Sequence, residues 1–166
     1  MATAYKSQQI TAGKQPRVLP TGVEVLQVAT FLNSTAFVIN DTIALVQIEA
    51  DPSITNNGPV VTRTTIDMPP MDSSTGFTWI LGDSVTTNRY ITTSTLGQSS
   101  AGGIVGMNSE GGLGFAPFLS AFGAFSTYTA VSNQVYTVVL KVTAAATGTA
   151  TTGNTITAVI GYSYDP

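Results

Sequence analysis

The residues of this sequence that could support chemistry are carboxylates and hydroxyls. Gly82-Asp83-Ser84 has the form of a hydrolase nucleophile block, in which a nearby histidine takes the serine proton. The chain contains no histidine and no cysteine, so the usual general base and thiolate metal ligands are both missing. We therefore interpret Gly82-Asp83-Ser84 as a turn that ends a strand, and expect Asp83 and Arg89 to form a structural ion pair.

Two other groups of residues could in principle bind a ligand. Asp67 and Asp72 lie close together on a loop shoulder and could hold a hard cation, or form the carboxylate pair that glycoside hydrolysis needs. The stretch Gly97–Gly103 is glycine-rich, but it lacks the Lys-Ser/Thr ending of a phosphate-binding loop. We predict a β-turn at Gly97–Gly103, no enzyme activity, and no cofactor or metal.

Composition narrows the class of protein further. Only 9% of the 166 residues are charged, against about 25% in a typical soluble domain, whereas the chain has 27 Thr and 14 Ser. Six scattered basic residues and a net charge of −3 argue against nucleic-acid binding. No apolar run is long enough to span a bilayer, and the N-terminus has no apolar signal core. A weakly charged, threonine-rich surface favours a protein that works in an assembly, and a soluble monomer is the alternative.

Short alternating segments separated by turn residues predict an all-β protein. The segments are 23–32, 36–39, 42–50, 60–68, 77–81, 89–96, 104–105, 134–144 and 155–164. In the central one, Phe77, Trp79 and Leu81 share a face, and Trp79 is the only tryptophan. We predict an antiparallel, jelly-roll-like β-sandwich over residues 21–166.

Two segments do not fit the sandwich pattern. Residues 1–20 carry three of the six basic residues and read as an extended N-terminal arm that orders only against a partner, or as a disordered tail. Residues 108–125 are rich in Phe and Gly, and form either a helix from Pro117 or an apolar loop; their rings either cap the core or contact another subunit. The candidate interface residues in both segments are Lys6, Lys14, Arg17, Phe115, Phe118, Phe122 and Phe125.

Three stretches together resemble a family of tailed-bacteriophage virion proteins, usually encoded among head genes. They are VEVLQVATFLNSTAFVINDTIALVQIEAD (23–51), WILGDSVTTNRYITTSTLGQSSAGGI (79–104) and YTVVLKVTAAATGTATTGNTITAVIGY (136–162). The resemblance implies a jelly-roll-like sandwich that decorates or cements the capsid, made in the host cytoplasm and located on the virion surface. It further implies the major capsid protein as partner and a homo-oligomeric state.

Two other functions remain open at the level of sequence. A virion module could recognise host glycans through stacking rings, for which the candidates are Trp79, Tyr90, Tyr128, Tyr162 and Tyr164. Exposure of these rings on one face would favour that function, and burial of Trp79 would weaken it. The chain could also be a structural component of the neck or tail.

Overall fold

A computed structural model describes residues 1–13, 25–49, 59–84, 86–106 and 135–164. Within these ranges the chain forms nine strands and one short helix, α1 (Gln8–Thr11). The strands are β1 (Ala4–Lys6), β2 (Val25–Leu32), β3 (Thr42–Glu49), β4 (Pro59–Met68), β5 (Thr78–Asp83), β6 (Ile91–Ser94), β7 (Gly103–Gly106), β8 (Val135–Ala144) and β9 (Thr155–Tyr164).

The strands form two sheets that enclose one hydrophobic core. The five-stranded sheet has the order β1-β3-β8-β5-β6, and the four-stranded sheet has the order β2-β9-β4-β7. Every strand pair is antiparallel except β1–β3, which is parallel. Buried residues of both sheets belong to the same core cluster, so the sheets pack face to face. The predicted all-β, antiparallel sandwich is confirmed.

Alternation along the strands explains which side chains enter this core. On β8, Tyr136, Val138, Leu140 and Val142 are buried, while the residues between them are partly exposed. β9 alternates in the same way, with Ile156, Ala158, Ile160 and Tyr162 inside. In the central stretch Phe77, Trp79 and Leu81 share the buried face, as the period of two predicts.

Two strands depart from the simple alternation, and in both a register shift is the reason. β3 shifts between Ala44 and Val46, which buries both Leu45 and Val46 and changes the inward set after that point. β6 shows the pattern buried-exposed-exposed-buried opposite a shift in β5, so the regular alternation predicted over 89–96 is wrong. The predicted strand edge over 36–39 is also wrong, since these residues form a loop.

Connections at one end of the sandwich link facing strands of the two sheets. They are the loops between β2 and β3, β4 and β5, β6 and β7, and β8 and β9. The strand ends that flank residues 50–58 and 107–134 lie at the opposite end. Six of the candidate interface residues lie outside the described residues. They are Phe115, Phe118, Phe122 and Phe125 in 107–134, and Lys14 and Arg17 near the N-terminus.

Candidate functional site: surfaces for assembly

The aromatic rings of the central stretch and of β9 are inside the protein. Trp79 and Tyr162 are fully buried and Tyr90 is 5% exposed. The Trp79 Nε1 donates to the carbonyl oxygen of Leu96 at 3.0 Å, so even the polar edge of the indole is used internally. These three rings are not available for stacking on a sugar. Tyr128 and the side chain of Tyr164 lie outside the described residues.

The turn after β5 is fixed by the ion pair predicted from sequence. The Arg89 Nε donates to Asp83 Oδ2 at 2.6 Å, and both side chains are nearly buried. The backbone N–H of Thr86 donates to Asp83 Oδ1 at 2.6 Å, and Arg89 also donates to the Thr86 hydroxyl at 3.0 Å. Gly82 has no room for a side chain, because an added Cβ would lie 2.1 Å from the Thr86 carbonyl oxygen. The residues of the apparent nucleophile block therefore build a closed structural turn.

Removing the arginine from this pair should destabilise the fold measurably. The substitution Arg89→Met leaves the Asp83 carboxylate with one of its partners gone, and we expect a loss of about 2 kcal/mol. Urea unfolding followed by circular dichroism at low protein concentration measures the change. Arg63→Met is the matched control, because Arg63 is exposed and should change stability by less than about 0.5 kcal/mol. Equal stability of the two variants would contradict a structural role for the pair.

Asp72 holds the loops at the crossing end of the sandwich together. Its Oδ1 accepts from the backbone N–H of Ser74 and Gly148 at 2.9 Å, and its Oδ2 accepts from Gly76, Phe77 and Thr147 at 3.0 to 3.1 Å. Burial raises the pKa of Asp72, but the backbone hydrogen bonds outweigh it and lower the pKa to about 2. Asp72 therefore joins the β4–β5 loop to the β8–β9 loop.

Asp72 is not arranged as a metal ligand. Its carboxylate already accepts five backbone N–H groups, whereas Asp67 is exposed on the outer face of β4. In the described part of the chain, no three carboxylates gather in a way that could hold a metal ion. The loop pair considered from sequence as a cation or catalytic site is thus divided between a structural anchor and a surface charge.

A turn beside Asp72 holds two exposed serines in an uncommon backbone conformation. Ser99 and Ser100 have φ angles of 53° and 55°, in the left-handed region that non-glycine residues rarely adopt. The Ser99 N–H donates to the Ser74 carbonyl at 2.7 Å, and the Ser100 N–H donates to the Asp72 carbonyl at 2.8 Å. Ala101 closes the turn by donating to the Gln98 carbonyl at 2.9 Å. The backbone of this turn is therefore fixed by its neighbours, and the turn places two exposed serines at the surface.

The N-terminal segment, residues 3–11, packs on the sandwich instead of extending away from it. β1 adds a parallel strand to β3, and the Thr3 N–H donates to Asp41 Oδ1 at 2.6 Å. Ser7 is fully buried; its hydroxyl donates to the Leu45 carbonyl at 2.6 Å and caps α1 through the Ile10 N–H. The expectation that this part of the arm orders only against a partner is therefore wrong for residues 3–11.

The same segment contacts both sheets. The Tyr5 ring lies 5.4 Å from the Phe31 ring and 5.7 Å from the Phe37 ring, measured between centroids. From α1, the Gln9 Oε1 accepts the backbone N–H of Thr30 at 2.8 Å, which satisfies a donor on the edge strand β2. The N-terminal segment thus covers the edge of β3 and part of the edge of β2.

An open cavity of about 320 Å³ lies between α1 and the end of β2. It is lined by Lys6, Gln8, Thr11, Ala12, Phe31 and Leu32. Lys6 is exposed. It is the predicted interface residue that lies within the described ranges, so its surroundings are known. The lining is mostly apolar with one cation, but it presents no second charged group that would define a ligand.

The outer face of the four-stranded sheet carries exposed apolar side chains. Leu26 and Val28 on β2 are 53% and 49% exposed, and Ile104 on β7 is 70% exposed. Arg63 and Asp67 on β4 are the charged residues of this face within the described ranges. No described helix packs over the middle of this face, and none in the described ranges is long and apolar enough to cross a membrane.

Sequence reasoning missed three of these features. The role of Asp72 depends on Thr147 and Gly148, which are 75 and 76 residues away along the chain. Ser7 sits in a polar segment with no apolar period, although a serine three residues before an N–H of a helical turn is a capping signal. The sequence pattern predicts a strand over 23–32 but does not show that Leu26 and Val28 occupy its exposed outer positions.

Comparisons with known proteins identify the fold but not a family. No protein-family model matches the chain, and no curated protein matches it in sequence. A chain in the capsid of Ralstonia phage GP4 has the same fold, with a TM-score of 0.70 and 20% identity over 99% of both chains. A chain in the capsid asymmetric unit of cyanophage Pam1 has a TM-score of 0.50 and 15% identity over 92% of this chain and 96% of that chain. At these identities the likeness shows a shared fold.

Proposed function

We propose that this chain is a structural protein of a tailed-bacteriophage particle that binds the assembled head and stabilises it as a decoration or cement protein. The observation that carries the proposal is the likeness to a chain of the Ralstonia phage GP4 capsid over 99% of both chains. Since the match covers both chains almost completely, the whole fold is shared and not one common motif. The motifs that resemble phage virion proteins lie on β2, β3, β5 to β7, β8 and β9 of that fold.

The topology supports the jelly-roll-like part of the prediction. Setting β1 aside, the sheets have the orders β2-β9-β4-β7 and β3-β8-β5-β6. In several pairs, strands that follow each other in sequence then lie in different sheets. This holds for β2 and β3, β4 and β5, β6 and β7, and β8 and β9. Such double-sheet arrangements of eight strands are common in viral capsid domains.

The surface of the described residues fits a structural role better than glycan recognition. Trp79, Tyr90 and Tyr162 are buried, which removes three of the rings on which glycan binding would depend. The exposed apolar residues lie on sheet and loop surfaces, where they can be covered by another protein. We propose the major capsid protein as the partner, the capsid surface as the location, and homo-oligomerisation between neighbouring copies.

The contact residues proposed for the capsid are those of the two segments singled out in the sequence. Lys6 is exposed at the end of β1, and Lys14 and Arg17 continue the same basic stretch. Phe115, Phe118, Phe122 and Phe125 belong to the connection between β7 and β8. Apolar rings give such a contact its area, and its dependence on salt should be modest, because the chain offers few charges.

The proposed function is tested on purified particles that lack the protein. A protein that binds the assembled lattice but not the free subunit stabilises the lattice by mass action. We expect stripped or protein-deficient particles to release DNA at a lower temperature than complete particles, and added protein to restore the higher temperature. Quantitative mass spectrometry should give a copy number comparable to that of the major capsid protein.

Two results would overturn this function. Identical release temperatures with and without the protein would exclude a stabilising role, and a small fixed copy number per particle would indicate a neck or tail component. Binding of the particles to host glycans that is lost with the protein would favour the recognition module instead. A folded protein is required for each comparison, so circular dichroism of the added protein is the control.

A further inference from the structure

The outer face of the four-stranded sheet has a symmetry that the core does not require. Cross-strand register places its outward residues in rows. Leu26, Gly161 and Arg63 form the first row, and Thr30, Thr157 and Asp67 form the third row. Between them lies a row with Val28, Val159 and Thr65. The middle row is thus uncharged, with one charge of each sign at equal distance on either side.

Arg63 and Asp67 are placed to pair between two copies of the chain and not within one copy. Arg63 and Asp67 are four residues apart on β4, so their Cα atoms are separated by about 13 Å. Both are exposed, and the structure shows no hydrogen bond or ion pair between them. Among the described residues, their charges therefore remain available at the surface of the sheet.

We propose that this face is a self-complementary dimer interface, and that its partner is a second copy of the same chain. In this dimer two copies of the sheet face each other, and a twofold axis runs midway between them, parallel to the middle row. Rotation about this axis reverses the strand direction in the second copy. Arg63 of each copy would then face Asp67 of the other, which makes two equivalent pairs. The same operation places Val28 over Val28 and Val159 over Val159 in an apolar centre. An isologous contact of this kind closes after two subunits.

The geometry of stacked sheets is compatible with this contact. Facing sheets pack about 10 Å apart, a distance that an arginine and an aspartate side chain can span together. Exposed Leu26 and Val28 would lose water contact on association, which provides the apolar contribution. The charges then select the antiparallel arrangement, because the parallel one would bring like charges together.

The size of the face predicts a weak dimer in free solution. Three strand spacings by six residues give about 14 Å by about 20 Å, well below the area per partner of a standard stable interface. The dimer should therefore form at high protein concentration and dissociate on dilution. Copies held close together on a surface would associate more readily, because their effective concentration is higher.

Charge reversal tests the interface directly. Sedimentation velocity over a range of concentrations should show a monomer–dimer equilibrium for the natural chain. Arg63→Glu and Asp67→Arg should each weaken the dimer by about tenfold or more, since both attractive pairs become repulsive. The double variant Arg63→Asp with Asp67→Arg exchanges the two charges and should restore dimerisation to within about threefold. All three variants change exposed positions, and circular dichroism verifies that they fold.

Matched controls separate this surface from a general effect of charge. Lys6→Glu changes the net charge as much as Arg63→Glu but lies on β1, so it should leave dimerisation unchanged. Because the chain has no cysteine, Val28→Cys places one thiol on the proposed axis, and a short bismaleimide should join two copies through it. Val38→Cys, on the β2–β3 loop with 40% exposure, is the control that should not be joined.

The outcomes are distinct from those of the capsid experiments. A natural chain that stays monomeric at all concentrations, or single charge variants that dimerise as well as the natural chain, would overturn the interface. Failure of the exchange variant to recover would overturn the proposed pairing of Arg63 with Asp67. The inference draws on the proposed function only for where the dimer acts, and purified protein that dimerises without binding particles would refute that function alone.

Discussion

Deletion of residues 1–13 is expected to destabilise the sandwich strongly and to make it self-associate. The deletion removes the partly buried Tyr5 ring from its contacts with Phe31 and Phe37, and the loss of such a ring costs part of the about 3–5 kcal/mol that a fully buried one costs. It also leaves the Leu45 carbonyl without the Ser7 hydroxyl and the Thr30 N–H without Gln9. The total of about 3 kcal/mol or more is a large part of the whole stability of many domains.

Self-association follows from the strands that the deletion uncovers. Without β1, the edge of β3 presents unpaired backbone groups, and an uncovered edge is a template for pairing with another chain. Thermal unfolding and size-exclusion chromatography measure the two effects. Deletion of Met1 and Ala2 alone is the matched control, since both residues are exposed and precede β1. A 1–13 deletion with unchanged melting temperature and a monomeric profile would show that the segment is a dispensable arm.

Composition alone gave a wrong expectation for residues 3–11 of the N-terminal arm, and the reason lies in what holds these residues. Residues 1–13 contain a single aromatic residue and no apolar period, so no face of a strand or helix is marked in the sequence. What holds them is a set of single contacts with residues far along the chain, such as Ser7 with Leu45 and Thr3 with Asp41. These partners are defined only once the two sheets are packed. Local periodicity cannot reveal them.

The strands themselves were largely predictable. β9 has the predicted bounds, and β8 and β4 differ from prediction by one residue at one end. In these strands burial alternates with every second residue, so the amphipathic pattern is written directly in the sequence. The exceptions, β3 and β6, contain or face register shifts that bury consecutive residues. A bulge depends on the pairing of two strands, and a single strand does not display it.

The candidate site was predictable only in its local parts. Asp83 and Arg89 are six residues apart, and the structure confirms their ion pair. The arrangement of Arg63 and Asp67 on the proposed dimer face, by contrast, can be recognised only from the register of β4 against β9 and of β9 against β2. The phenylalanines of 115–125 remain a prediction, since they lie outside the described residues.

Replacement of Asp72 by asparagine is expected to lower stability at neutral pH and to remove a pH dependence. An asparagine has one acceptor oxygen, and its NH₂ group would face at least two of the five backbone N–H donors that Asp72 satisfies. Buried donors without an acceptor are costly, so the loops joined by Asp72 should loosen. Unfolding by urea at pH 7 gives the difference between the natural chain and Asp72→Asn.

The pH dependence of that difference identifies the charge of Asp72 as the cause. Its pKa is about 2 in the folded protein against an ordinary value of 3.8, so the folded state favours the charged form. The stabilising contribution is therefore complete above pH 3.8 and is lost as the pH falls through about 2. We expect the advantage of the natural chain over Asp72→Asn to shrink across this window. Asp67→Asn, at an exposed position, is the control and should show no such change. If the natural chain keeps a constant advantage over Asp72→Asn at all pH values, the shape of the Asp72 side chain and not its charge makes it the anchor.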